Sequence, residues 1–479
     1  MRYSILVNLA KMSRKLADSA QHLRAAQQND LRTEATKNGR QILSQIEAVL
    51  KQNRKDLRSE ALLAQLAEIN TLWETGDESL EERLKQFIRN LPKEISYKVR
   101  AVSFAEQGEK WDAMESVYEY MRNDPRFDPI VVLMPIIRSS RHADGHAERE
   151  IIYKDYLTPM GIPFYECNEY SLSDDRPDLA FTCQPYNDVQ LPQFCAEYVS
   201  KYSRLVYLPY FVPDKVTVEA VRTWCRLPIY HYAWKVFGSS QSHYDVYRLC
   251  SRLKGRNILI TGLPKLDSAA TLRERGIPLP KKWENVITNR KTFLWNSWYS
   301  IDVCSLRYFD ELLSWFGEHT DCALIWRPHP MTDIVTKLDL PDKYDFWLQC
   351  QRKLEEFPNA VRDEEVLCDA AFYYSDALIS DFSSLMPQYL LMDKPCLWII
   401  SPAFGFIGEV IDGDWAESAS DIQQILDFME RIRQGDDPKA ERRKEVQQKD
   451  LPLADGHCGE RVCKKLWEAM HQEDFGILQ

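Results

Sequence analysis

From residue 96 onward the sequence repeats one unit, and that alternation constrains the fold more than any other feature. The unit is a short apolar run, a polar turn and an amphipathic stretch. YKVRAVSFAEQGEKWDAMESVYEYMRNDPRFDPIVVLMP reads as a strand over 98–104, a turn, a helix over 111–122 and a strand over 129–134. Similar runs stand at 178–182 and 204–208, and a second series begins at 257–261 and recurs at 292–295, 323–326, 377–380 and 395–400. Strands alternating with helices across short polar loops predict parallel sheets wrapped by helices. At 479 residues the chain exceeds what one hydrophobic core serves. We therefore expect two α/β halves bracketing a cleft, with the junction near 235–255. The expected divisions are a helical extension over 1–92, an acceptor half over 93–245, a donor half over 246–430 and closing helices over 431–479.

Residues 1–90 follow another rule. They contain no proline and a single glycine, Gly39, before Gly76. Ile42, Leu43, Ile46, Val49 and Leu50 recur at helical spacing, as do Leu62, Leu63, Leu66, Ile69 and Trp73. This pattern predicts an antiparallel hairpin or short coiled coil, broken at Asn38-Gly39, ending near Gly76, with one further helix closed by Leu91-Pro92. The charge is uneven. Twelve Lys/Arg against six acids give residues 1–60 a net +6, within a chain whose total is −11. Such a basic helical tip suits an anionic membrane surface, at about 1 kcal/mol per basic residue, a plain solvated helical face or a self-association hairpin.

In a parallel α/β sheet, ligands bind outside the carboxyl ends of the strands. ALIWRPHPMTD (323–333) and ALISDFSSLMPQYLLMDKP (377–395) each leave an apolar strand for a polar cluster at that place. Pro328 and Pro330 stiffen the first loop and fix the directions of Arg327 and His329. An arginine fork suits phosphate oxygens, and an imidazole adds another donor. In the second loop Ser383 and Ser384 bring two hydroxyls, and a helix expected over 384–392 would present its first N–H groups. Together these groups form a bed for a diphosphate. Singly, each has a plainer reading: Asp381 or Ser383 as a helix cap, Arg327 in an ion pair, His329 as a packed histidine.

RPHP (327–330), SDFSS (380–384) and the following MPQYLLMDKPCLWI resemble the CDP-glycerol glycerophosphotransferase family of teichoic-acid primases and polymerases. ITGLPKLD (260–267) is similar to that family's strand–Gly–x–Pro–x–x–Asp turn, and DGHCGERV (455–462) resembles its Asp-Gly…Glu-Arg segment. The likeness spans roughly 97–470 and is densest over 256–400. It implies a GT-B architecture, two Rossmann-like domains with the activated donor held by the second. It implies transfer of an alditol phosphate from a CDP-linked donor to a hydroxyl of a polysaccharide or lipid-linked acceptor. On this reading His329 and Arg327 meet the donor diphosphate, Ser383 and Ser384 bind its phosphates, Asp381 orients the loop or a donor hydroxyl, and Gly262 belongs to the donor site. With these donors present no metal or cofactor is required.

One departure concerns the base. The family carries a Trp-His-Gly motif after a strand of its first domain, whereas this chain has VYLPYFVP (206–213) there, without histidine. His231 in PIYHYAWKVFGSS and Glu109 in AEQGEKWDAMES are the replacements, His231 competing with a plain packing role. Two other functions stay open on sequence grounds: a GT-B glycosyltransferase using a CMP-sugar or other nucleotide sugar, and an inactive scaffold of the same fold.

Other signals exclude more than they suggest. The acidic total argues against nucleic-acid binding. Twelve cysteines without CxxC pairs read as reduced thiols, and MRYSILVNLAKMSRKL lacks a signal-peptide pattern, so we expect a cytoplasmic protein, with the inner membrane face open to it. AEQGEKW lacks G-x-G-x-x-G, so it does not read as a dinucleotide turn. Asp412-Gly413-Asp414 reads as a turn. Trp295, Asn296, Trp298 and Tyr299 follow a strand of the second half and stand either in the core or beside a nucleobase or acceptor. Arg138, Arg141, His142 and His146 lie on a polar loop that faces the cleft or solvent.

Overall fold

The structure is a computed structural model and describes the chain except residues 26–28, 142–146, 153, 212–217, 382, 402–412 and 477–479. Four helices open it: α1 (Tyr3–Ala25), α2 (Asn29–Gln52), α3 (Ala61–Thr75) and α4 (Leu80–Glu94). Helix α1 packs on α2 and α4, and α3 packs on α4. Their apolar stripes, including Leu9, Leu16, Ile46, Leu66, Trp73, Phe87 and Leu91, merge with the core under the first sheet. The region is therefore part of the first half rather than a separable arm. Nor does the chain break at Asn38-Gly39, because α2 runs straight through. The glycine serves packing: a Cβ there would lie 1.9 Å from the Trp73 ring. Helix α4 likewise continues past Pro92 to Glu94.

Among the described residues the strands are β1 (Val99–Ala105), β2 (Phe127–Leu133), β3 (Ile136–Arg141), β4 (Ala147–Ile152), β5 (Tyr165–Glu166), β6 (Leu179–Thr182), β7 (Arg204–Tyr207), β8 (Lys235–Gly238), β9 (Ile258–Ile260), β10 (Lys291–Ser297), β11 (Cys322–Pro328), β12 (Ala360–Arg362), β13 (Ala377–Ser380), β14 (Cys396–Ile399) and β15 (Glu417–Ala419). The first sheet is parallel, in the order β5-β2-β1-β6-β7-β8-β9. The second is also parallel, in the order β12-β11-β10-β13-β14-β15. Counted by appearance, each begins 3-2-1-4-5-6, the Rossmann order, in which the strand order reverses beside the first strand. Every residue of β11 and of β13 is buried, as strands covered on both faces require.

Three expectations about organisation are corrected. The run at 257–261 does not open the second half, since β9 pairs with β8 and completes the first sheet. Residues 235–255, expected as the junction, form β8 and the helix Gln241–Cys250. The last helix, Cys458–Phe475, returns to the first half, where Val462, Leu466 and Met470 join its core, so 431–479 is not a unit of its own. After β2 the chain makes an antiparallel hairpin of β3 and β4, where the sequence reads as a polar loop. His142 and His146 lie outside the described residues. All twelve cysteines are thiols outside any disulfide, and no helix among the described residues is long and apolar enough to cross a membrane.

Candidate active site

The strand ends converge as the Rossmann order requires. Register pairs Asn296 of β10 with Arg327 of β11 on one side and with Ser380 of β13 on the other. Side chains reinforce this register: Asn296 Nδ2 donates to the Arg327 carbonyl at 3.1 Å, and the Ser380 hydroxyl donates to Asn296 Oδ1 at 3.2 Å. The loops after β11 and β13 thus leave the sheet on either side of Asn296. Together with the turn after β1 they enclose a cavity of about 100 Å³, lined by His329, Ser383, Ser384, Glu109, Lys110 and Lys265 among others. Two loops more than fifty residues apart in the chain therefore face one space.

His329 is fixed on three sides. Its N–H donates to the Ser297 carbonyl at 2.9 Å, its carbonyl accepts from the Thr332 hydroxyl at 2.8 Å, and Tyr299 meets the ring edge-on at 5.2 Å. The Met331 N–H donates to Nδ1 at 3.1 Å, so the neutral ring carries its proton on Nε2. Burial, then the positive charges of Lys110 and Arg327, push its pKa down to about 4. At neutral pH this is a rigid N–H donor without charge.

The second loop differs from expectation. Ser383 and Ser384 line the cavity, but the helix after them is only Met386–Leu390, too short for a substantial dipole. The Ser383 hydroxyl accepts from the Leu385 N–H at 3.2 Å, which orients it. Asp381 does not line the cavity. It is 1% exposed and accepts from the N–H groups of Trp298, at 2.8 Å, and Ser305, at 3.0 Å, and from the Ser305 hydroxyl, at 2.8 Å. It holds the loop after β10, which carries Tyr299 against His329. Trp295 belongs to the core, stacked on Trp326.

Arg327 is also reassigned. Its guanidinium donates to the Asp363 carboxylate and to the carbonyls of Glu365 and Val366, the latter two at 3.1 and 3.0 Å. It lines the cavity but is committed to holding the loop after β12, so the plainer ion-pair reading prevails. Gly262 lies elsewhere. It adopts φ +75, and a Cβ on it would lie 2.6 Å from Cys458 Sγ. Asp267, five residues on, accepts the N–H groups of Cys458 and Gly459 at 2.9 and 2.8 Å. The GLPKLD and DGHCGERV segments are therefore partners of each other in a structural joint. His231 stands at the end of the short helix Ile229–Tyr232 and is not among the residues lining the cavity, whereas Glu109 is.

Sequence reasoning missed Lys110, Lys265 and Tyr210. Tyr210 occupies the cavity wall in the VYLPYFVP stretch, where the resemblance implies a histidine, and Lys110 sits 4.8 Å above its ring. Lys265 pairs with Asp112 at 2.6 Å, and Gln388 donates to the same carboxylate at 2.9 Å. The signal for Lys110 and Lys265 was their position in turns that follow strands; nothing local marks either as facing the cleft. A larger cavity of about 550 Å³ lies beyond Asp112, Val366 and Leu367. It is lined by Glu115, Asp267, Glu365 and Asp369 with Arg275, a charge balance that repels phosphate. Among these, Glu115 is pushed up to about 7 by burial and by its neighbours Asp369 and Asp112.

Two Rossmann-ordered sheets with a donor-lined cavity between them define a GT-B-like architecture. The comparisons agree on the fold. The wall teichoic acid polymerase TagF superposes with a TM-score of 0.50 at 12% identity, over 87% of this chain and 99% of that one. A UDP-N-acetylglucosamine 2-epimerase gives 0.50 at 12%, over 80% and 99%. In sequence, the profile of the CDP-glycerol:poly(glycerophosphate) glycerophosphotransferase family matches residues 226–468, and the chain belongs to that family. It is also 23% identical over 246 residues to the teichoic acid ribitol-phosphate polymerase TarL of Staphylococcus aureus (strain NCTC 8325 / PS 47). That match covers 49% of this chain and only 41% of TarL.

Proposed function

We propose that this protein transfers an alditol phosphate from a CDP-linked donor to a hydroxyl of a polymer acceptor. The observation that carries the reading is the convergence of His329 with Ser383 and Ser384 on one cavity, at the place where a Rossmann-ordered sheet binds phosphate. Family membership supports the class of reaction, and a structure of a TagF variant soaked with CDPG supports the kind of donor. The enclosed space is about 100 Å³, below the size of a whole nucleotide pocket. It suits the diphosphate, with the nucleoside extending into the open cleft.

The acceptor oxygen attacks the alditol-linked phosphorus. A new P–O bond forms, the bond to the bridging diphosphate oxygen breaks, and CMP leaves with that electron pair. The growing charge on the leaving phosphate meets the His329 Nε2–H and the hydroxyls of Ser383 and Ser384, the His329 ring and the Ser383 hydroxyl being held in place before reaction. Glu109 lines the same space and is the group we assign to take the acceptor's proton. These donors act on the diphosphate without a metal, so a chelator should leave turnover unchanged. Lys11, Lys15, Lys37 and Lys55 in the basic N-terminal segment are exposed, which supports contact of this segment with an anionic membrane surface. Because its helices share the first core, flotation with liposomes should compare the full chain with charge-reversed variants rather than a truncation.

The test is a donor panel of CDP-glycerol, CDP-ribitol, a CMP-sugar and a UDP-sugar, scored by release of nucleotide. CMP release from a CDP-alditol is expected. Release only from a sugar nucleotide would overturn the reading in favour of a glycosyltransferase, and no release with any donor would favour an inactive scaffold.

A further inference from the structure

The expectation that the second half alone holds the donor leaves the diphosphate's charge without a counterpart. Among the described residues three cations line the cavity: Arg327, Lys265 and Lys110. Arg327 is engaged by Asp363 and two carbonyls. Lys265 is 2% exposed and locked to Asp112, itself 5% exposed, at 2.6 Å. Lys110 differs. It forms a longer ion pair, 3.8 Å, with the buried Glu106, whose carboxylate also accepts from Gln184 and Gln190 at 2.8 Å each, so its ammonium is held less tightly than that of Lys265. The ammonium group otherwise rests on the face of Tyr210. Neutral His329 adds a donor but no charge.

The turn that carries Lys110 is also pressed against the second half. A Cβ on Gly108 would lie 2.3 Å from Val366 Cγ1, in the segment held by Arg327. The space beside Gly108 is thus filled by the Val366 side chain, so the turn that carries Lys110 packs directly on the second half.

We propose that Lys110, from the first sheet, is the cation that contacts the donor's phosphoryl groups, so that both halves of the cleft grip the substrate. The inference rests on the diphosphate reading and adds to it the identity of the charge. Binding of CDP, UDP, inorganic pyrophosphate and cytidine to the full chain, measured by calorimetry, tests it in wild type, Lys110→Met and Lys110→Arg. Lys110→Met is expected to weaken CDP and pyrophosphate by about tenfold or more, the scale of one charge-assisted contact. It should flatten their dependence on salt and leave cytidine unchanged, and Lys110→Arg should restore the affinity. A merely structural role would change neither the salt dependence nor the difference between pyrophosphate and cytidine. Unaltered pyrophosphate affinity in a folded Lys110→Met protein overturns the proposal. If pyrophosphate binds through Lys110 but CDP is not preferred to UDP, the cytidine reading falls and Lys110 stands. If wild type binds none of the phosphates, both fall.

Discussion

Lys265 and Asp112 form a buried ion pair, at 2.6 Å, between the turn that follows β9 and the turn that follows β1. Gln388, beyond the serine loop, donates to the same carboxylate, so one acidic side chain ties the loop after β13 to the first sheet. Removing one member of a buried pair leaves the other charge uncompensated, at a cost of about 3–5 kcal/mol. Asp112→Ala should lower the melting temperature markedly, and the pair Asp112→Ala with Lys265→Met should recover part of the loss. Equal melting temperatures for wild type and Asp112→Ala would show that the pair holds nothing.

His329→Ala should reduce kcat by about 10²–10³-fold, the scale of one preorganised donor, with little change in the circular dichroism of the protein. His329→Gln keeps an N–H donor and should retain more activity. Near-normal turnover of the alanine variant would refute the assignment.

The same residue sets a pH dependence. Its folded pKa, about 4, lies below the unfolded value of about 6.5. The unfolded chain therefore binds the extra proton first as pH falls. His329 should cost stability progressively between about pH 6.5 and 4, and His329→Gln should remove that part of the slope. Chemical denaturation at several pH values measures it; an unchanged slope in the variant would contradict the burial of the neutral ring.

Asp381→Ala leaves two backbone N–H groups and a hydroxyl without their acceptor, at about 1–3 kcal/mol for each group left buried and unsatisfied. Because the freed loop carries Tyr299, activity should fall together with stability. Loss of activity with an unchanged melting temperature would instead place Asp381 in contact with substrate.

Much of this arrangement was legible in the sequence. The runs ALIW and ALIS are buried on both faces and end at polar clusters, which is the pattern a parallel strand imposes wherever it meets a ligand site. The rest depends on partners far along the chain. Gly39 reads as a helix break until Trp73 is seen against it, and ILI at 258–260 looks the same whichever sheet accepts it. Arg327 looks free until Asp363 is placed beside it. GLPKLD and DGHCGERV gave no hint that they bind each other. Val212 and Pro213, which end the VYLPYFVP stretch, and Asp412 of the Asp-Gly-Asp segment lie outside the described residues. Asp414 of that segment pairs with Lys439 at 2.7 Å.

Binding of CDP-glycerol and CDP-ribitol by the Ser383→Ala/Ser384→Ala protein tests the shared cavity most directly. The account predicts that the double variant stays folded and binds whichever donor wild type accepts at least about tenfold more weakly, as loss of hydrogen bonds to a charged phosphate requires. Equal donor affinity in the two proteins would mean that the diphosphate lies elsewhere, and that His329 and the paired serines share a wall without sharing a substrate.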